Sequence, residues 1–433
     1  MAEDFDAIVV GAGMAGSSAA IRLAQAGANV LLVERASEPG AKNLSGGVLW
    51  GRDLDRILPR WAEEMPIERH VVRKRFGFLS PEGAVAVDFE DERWKRAPHA
   101  AHTVLRARTD AWLAKQAEAA GATVVSGVPV ERLAWEGTTV RGIVQDGETM
   151  HAPVTIVADG ANSRLSLGTP IRPATRLESP VTELGIKEVY RLPTATIEDR
   201  FNLAPGEGHA EEWVAGHLPA RIMGGGFLYT NRDTLSLGLI VNIGSLFGQP
   251  TPSHELIERF KLHPAIQSRL RGAELVEYGA KLISSGWASR PAAFSGSGWM
   301  IVGDAAGFVF SNGIVIQGMN YAVRSGLEAA ETALAARAAG DASAARLHEY
   351  DDRLDRTGIL GDFRDFAAMD RVKWNPRFYT AYPGFAVELF HTMMSEDSGP
   401  KKAMRAVLRE ARRRSGVRTS TLIRDGIDLL RYF

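Results

Sequence analysis

The residues best spaced for binding chemistry stand near the start of the chain. Gly11-Ala12-Gly13-Met14-Ala15-Gly16 is a Gly-x-Gly-x-x-Gly run, and Glu34 follows 23 residues after the first glycine, with Arg35 beside it. In such a run the first glycine permits a tight turn, the second lets the backbone approach a pyrophosphate, and the third lets helix and strand pack closely. A helix starting there aims free N–H groups and about half a positive charge at the phosphates. Glu34 is then placed to accept from a ribose hydroxyl. Both flavin and nicotinamide dinucleotides satisfy this pattern.

Two downstream runs favour FAD. Gly303-Asp304 puts a carboxylate where a short strand gives way to a helix, suited to hydrogen bonds from a ribityl chain. Gly318-Met319-Asn320 opens another helix, whose N-terminal amides would face negative charge developing on a reduced flavin ring. No other chemistry competes. The chain has no cysteine, so it offers no thiolate nucleophile, Cys-ligated zinc or iron–sulfur ligands. Its ten histidines include no HExxH, and His99 with His102 lacks further ligands at useful spacing, so no metal site is expected.

The elements that must position these residues follow the same order. Phe5–Val10 is a β-branched strand, an Ala-rich helix runs from the glycine turn toward Gly27, and Ala28–Glu34 is a second strand, together the opening of a doubly wound sheet. A helix over Asp110–Ala120, strands over Thr123–Val125, Thr155–Ala158 and Trp299–Val302, and a helix over Asn320–Ala338 continue that unit from distant segments. Between Leu177 and Ile283 the pattern turns to strands with polar turns, Asn231-Arg232-Asp233 among them, as in an antiparallel sheet. Helical patterns return after residue 340, broken by an aromatic cluster from Trp374 to Phe390 with Pro376 and Pro383. The expected fold is α/β: a discontinuous doubly wound, glutathione-reductase-like FAD domain (1–50, 100–165, 295–345), an antiparallel β-sheet substrate domain (51–99, 166–294) and a helical C-terminal region (346–433).

With 433 residues, 45% apolar and 24% charged, the chain fits a globular protein of two or three units. A net charge of −1 gives no overall attraction to nucleic acid. Charge is uneven, however. Lys401–Phe433 carries ten Lys or Arg against three Asp or Glu, and Met404, Val407, Leu408 and Ala411 follow helical spacing opposite that charge, as in a basic helix able to rest on anionic lipid or on an acidic partner. No signal-peptide pattern and no 18-residue apolar run is seen, so the expected location is cytoplasmic, with peripheral contact at the inner face of the cell membrane.

Five blocks in order, DAIVVGAGMAG, PGAKNLSGGVLW, TVLRARTDAWLAKQAEAAGA, GGGFLYTNRDTLSLGLIV and VGDAAGFVFSNGIVIQGMNYA, resemble the FixC branch of the electron transfer flavoprotein:quinone oxidoreductases, within the wider geranylgeranyl reductase and aromatic hydroxylase group. The resemblance implies FAD as cofactor, electron transfer flavoprotein subunits as donor and a quinone as acceptor. It implies that Arg106 reaches the FAD phosphates, that Lys42, Asn43, Ser45 and Gly46 lie in a loop beside the isoalloxazine ring, and that Val130 meets the adenine. Asp304 matches the ribityl contact, and Gly318 and Met319 the helix start beside the pyrimidine. Gly224 and Gly225 match a pair lining the quinone site, with Tyr229 the nearest candidate for protonating the quinone. Asp159-Gly160 matches a turn shared by flavin hydroxylases. Long members carry a four-cysteine cluster domain; in a cysteine-free chain the resemblance implies a separate ferredoxin-like iron–sulfur subunit. A prenyl double-bond reductase, a flavin hydroxylase and an FAD relay subunit without its own substrate site are the alternative readings.

Overall fold

A computed structural model describes residues 4–43, 46–176, 182–219, 222–396 and 398–432. Ser45 lies outside the described residues.

Short, largely buried runs build a six-stranded sheet in the order Ser295–Gly296, Trp299–Ile301, Val154–Val157, Ala7–Val10, Val30–Glu34 and Thr123–Ser126, the last a partly exposed edge strand. All neighbours are parallel except the first pair. Buried on both faces, such strands need continuous apolar character, which AIVV and VLLVE supply. Helix Met14–Gln25 packs on this sheet against helix Met319–Ala339. Their approach is close because Gly326 has no Cβ: one placed there would collide with the Ala15 carbonyl. Helix Arg106–Ala119 starts four residues earlier than the sequence predicts. Leu105 is extended, and the Arg106–Asp110 pair bridges the first turn.

The second large sheet has nine strands, and it is mixed rather than antiparallel. Glu207–Ala215 runs parallel to Ile67–Ser80, while Thr182–Arg191, Gly224–Thr230, Thr234–Asn242 and Glu274–Ser284 pair antiparallel. The parallel pair arises because the long strand Ile67–Ser80 is inserted far upstream and meets the sheet from the other end. One face carries its own apolar core, with Trp213, Leu228, Leu237, Leu239 and Val241 under Phe260. The opposite face looks toward the six-stranded sheet.

The C-terminal region is helical, and the aromatic cluster begins at a break over 374–376, between helices Met369–Lys373 and Arg377–Met394, then continues inside the second helix. Arg377–Met394 is one helix with Pro383 inside. Pro376 sits at its N-cap, where a missing N–H costs nothing. Pro383 packs over Gly216, where any Cβ would clash with the proline ring. Helix Thr419–Tyr432 is fastened to it through Asp425, which accepts from Arg377 (2.7 Å), Asn375 (3.1 Å) and Tyr382. In helix Met404–Ser415, Val407 and Ala411 are buried but Met404 and Leu408 are exposed, so the predicted apolar face is divided between protein packing and the surface. Among the described residues no helix is long and apolar enough to cross a membrane.

Candidate functional site

A cleft of about 720 Å³ separates the six-stranded sheet from the cleft-facing side of the nine-stranded one. Its floor is the turn between Ala7–Val10 and helix Met14–Gln25. Gly11 takes φ +108°, and a Cβ there would strike the Ala158 carbonyl; one on Gly16 would strike the Gly11 carbonyl. Gly13 differs. Among the described residues an added Cβ would meet only Arg106 Nη2, at 3.7 Å, and none of them demands glycine at this position. The space over Gly13 is what an approaching diphosphate would fill. Glu34 accepts from the Ala12 N–H (3.0 Å) and the Ala36 N–H (2.8 Å), which fixes the turn and leaves carboxylate lone pairs at the cleft. Ala12 and Gly16 lie behind the turn; Gly11, Gly13, Met14, Ala15, Glu34 and Arg35 line the cleft.

The other predicted residues converge on the same space. Lys42, Asn43, Gly46, Arg106, Val130, Asp159, Gly160, Gly303, Asp304, Gly318 and Met319 all line it. Asp159 is informative. Its Oδ2 accepts from the Leu165 N–H (2.9 Å), whereas its buried Oδ1 has no partner among the described residues. Burial pushes its carboxyl up to about 6, with Arg172 and Arg164 pulling against that shift. An orphaned acceptor at a dinucleotide turn fits the hydroxyl donors of a bound nucleotide. Because this folded value lies above the ordinary 3.8, folding takes up a proton between the two. Cofactor-free protein is therefore expected to be most stable at the acid end of that window and to lose stability as pH rises through about 6. Thermal melts of the cofactor-free protein across this range, flattened in Asp159→Asn, check it; an equal slope in the variant contradicts it.

Sequence reasoning passed over three side chains. Arg106 donates to Asp110 through Nε and Nη2, both at 2.9 Å; Asp110, fully buried, also accepts from Asn43 Nδ2, and Asn43 Oδ1 accepts from Lys281. A chain of polar contacts thus crosses the cleft from helix Arg106–Ala119 to the edge strand Glu274–Ser284. Lys187, on Thr182–Arg191, donates to the Gly46 carbonyl at 3.1 Å. Burial lowers both lysines below the ordinary lysine value, Lys187 to about 8, helped by Arg106 nearby. The alternation in Gly185-Ile186-Lys187 was the available signal, since it puts Gly185 and Lys187 on one face.

Strand register places the remaining predicted residues. Gly225, Ile240, Gly185 and Lys281 stand opposite one another across four strands, so Gly225 shares the cleft-facing side. Gly224 pairs with Val241 and turns to the apolar core behind the sheet. Tyr229 is on the side of Gly225, stacked on Phe227 at 4.8 Å. Lining residues of the cleft on this side are Gly185, Lys187 and Ala280–Ile283; Gly224 and Gly225 are not among them.

Comparison with known proteins agrees with this layout. Residues 4–210 match the model of an FAD binding domain, and 182–283 match the ETF-QO ubiquinone-binding model. The chain is 39% identical over 429 residues to a probable electron transfer flavoprotein-quinone oxidoreductase of Escherichia coli K12, covering 99% of each. It is 35% identical over 406 residues to protein FixC of Azotobacter vinelandii, covering 93% of each. Among solved structures, a geranylgeranyl bacteriochlorophyll reductase-like protein of Thermoplasma acidophilum superposes with a TM-score of 0.72 at 18% identity over 99% of both chains, a likeness of fold. The chain is that of an FAD-dependent flavoprotein.

Proposed function

The chain belongs to the FixC-type family of electron transfer flavoprotein–quinone oxidoreductases, and from that membership we propose that it takes electrons from an electron transfer flavoprotein and delivers two of them to a quinone. One observation carries the reading. The segment matching the ubiquinone-binding model supplies Gly185, Lys187 and Lys281 to the same cleft that the glycine turn and Asp304 line from the other side. Bound FAD supplies the chemistry, since a flavin exchanges electrons singly with a protein partner and in pairs with an organic acceptor.

The residues of the chain have binding and positioning roles. Arg106, oriented by Asp110, would face a diphosphate bound over Gly13. The first N–H groups of helix Met319–Ala339, at the cleft, would face the flavin pyrimidine. Phe227 and Tyr229, stacked on one another, give the face shared by Gly225 an aromatic wall. With no cysteine in the chain to ligate a cluster, a ferredoxin-like iron–sulfur subunit is the further partner in this reading. Exposed Met404, Leu408, Ile423, Ile427 and Leu430 beside Arg405, Arg409 and Arg413 suit contact with an anionic membrane surface, where a quinone is found.

The test uses the full chain loaded with FAD and reduced anaerobically. Mixing with a short-tailed ubiquinone analogue is expected to return the oxidised flavin spectrum with one quinol formed per flavin. Vesicles of anionic lipid holding a long-tailed quinone should serve as acceptor and carry the protein down on sedimentation. A reoxidation rate equal to that without quinone, or no reduction of the flavin by a reduced electron transfer flavoprotein, overturns the reading.

A further inference from the structure

Lys187 is held in an unusual seat for a lysine. It stands opposite Gly238 on one neighbouring strand and Gly279 on the other, so no side chain flanks it across the sheet. Beyond Gly238 comes Phe227, whose ring lies over the Gly238 Cα, and the ammonium sits 5.3 Å from the centre of that ring. Its Nζ donates to the carbonyl of Gly46. Gly46 itself takes φ +69° over Ser236, where a Cβ would clash with the hydroxyl. Strand, ring and loop therefore fix one cation in the cleft with Asp304, Gly318 and Met319.

Arg106 and Lys281 share the cleft with Lys187, Asp110 neutralises Arg106, and Glu34, Asp159 and Asp304 line the same space. Burial and the neighbouring cations disfavour the charge on Lys187, so a negative charge arriving beside it is stabilised in turn. A diphosphate bound over Gly13 would lie beside Arg106. The other negative charge available is the one that develops on the flavin pyrimidine on reduction, and a fixed cation stabilises it more than the neutral oxidised ring.

We propose that Lys187 sets the reduction potential of the bound flavin, holding it higher than the rest of the site would, and that the quinone-binding sheet thereby tunes the electron-transfer step it serves. Lys187 is a positioning residue for charge; no bond to it forms or breaks. The inference rests on the placement of FAD in this cleft.

Equilibration of FAD-loaded full chain with a redox dye of known potential tests it. Lys187→Met should lower the ratio of reduced to oxidised flavin about tenfold at a given potential, which is ~30 mV for a two-electron couple. Lys187→Arg, which keeps the charge, should return most of the loss. If Lys187→Met does not hold FAD, Lys187→Gln, neutral but able to reach the Gly46 carbonyl, must show the same drop. A potential within twofold of wild type in a neutral, FAD-loaded variant overturns the role of Lys187. FAD retained by Gly13→Val overturns the placement of the cofactor instead.

Discussion

Gly13→Val is expected to fold as the parent does yet purify without FAD. The glycine is extended, at φ −81° and ψ −172°, a conformation open to any residue, and only the end of the Arg106 side chain lies near the added Cβ. The valine side chain would instead occupy the space above the turn, where the diphosphate has to come within hydrogen-bonding reach of the helix N-terminus. A loss of at least about a hundredfold in FAD affinity follows, ~2.7 kcal/mol. Gly16→Val is the contrasting case. Its Cβ collides with the Gly11 carbonyl, so this variant should lose both cofactor and stability. FAD titration of refolded protein, with thermal melts of the cofactor-free forms, separates the two. A Gly13→Val protein that binds FAD normally would remove the diphosphate from this turn.

Asp110→Ala should be the most costly single change within the polar chain that crosses the cleft. Asp110 is fully buried and neutralises Arg106 through two hydrogen bonds while orienting Asn43. Removing one partner of such a pair strands the other charge in a poorly solvated place, a loss of about 3–5 kcal/mol in comparable cases. Part of Arg106 reaches the cleft, its side chain being 23% exposed, so the lower end of that range is expected here. The midpoint in urea should fall accordingly, and FAD affinity about tenfold as Arg106 loses its aim. Lys281→Met, at the far end of the same chain, should cost much less because its partner is the neutral Asn43. A loss below about 1 kcal/mol in Asp110→Ala would mean that Arg106 has an equivalent partner.

The nucleotide half of this architecture was legible in the sequence because its signals are local. A glycine run between a β-branched strand and an Ala-rich helix specifies turn, close packing and ligand approach within about thirty residues. Asp304 and Gly318 were legible for the same reason, each at a strand–helix junction. What escaped was set by register. Whether Gly224 or Gly225 looks toward the cleft depends on which residue of Thr234–Asn242 each one meets, and that pairing is decided across the sheet. Lys187 and Lys281 come together only because their strands are neighbours. The parallel entry of Ile67–Ser80 and the unbroken helix through Pro383 likewise follow from long-range packing. Local propensity argues against both.

The order of strands in the six-stranded sheet also governs when the protein can mature. Ala7–Val10 pairs with Val154–Val157, which in turn pairs with Trp299–Ile301, and helix Met319–Ala339 closes over the first helix only after that. A ribosome must therefore release more than three hundred residues before the pocket has all its walls. Until then the apolar underside of helix Met14–Gln25 has no partner helix, and the central strands have an unfilled edge. Contacts so distant along the chain form slowly and leave partly folded chains prone to association. The cleft is therefore completed only late in synthesis, once the segment ending in helix Met319–Ala339 has emerged.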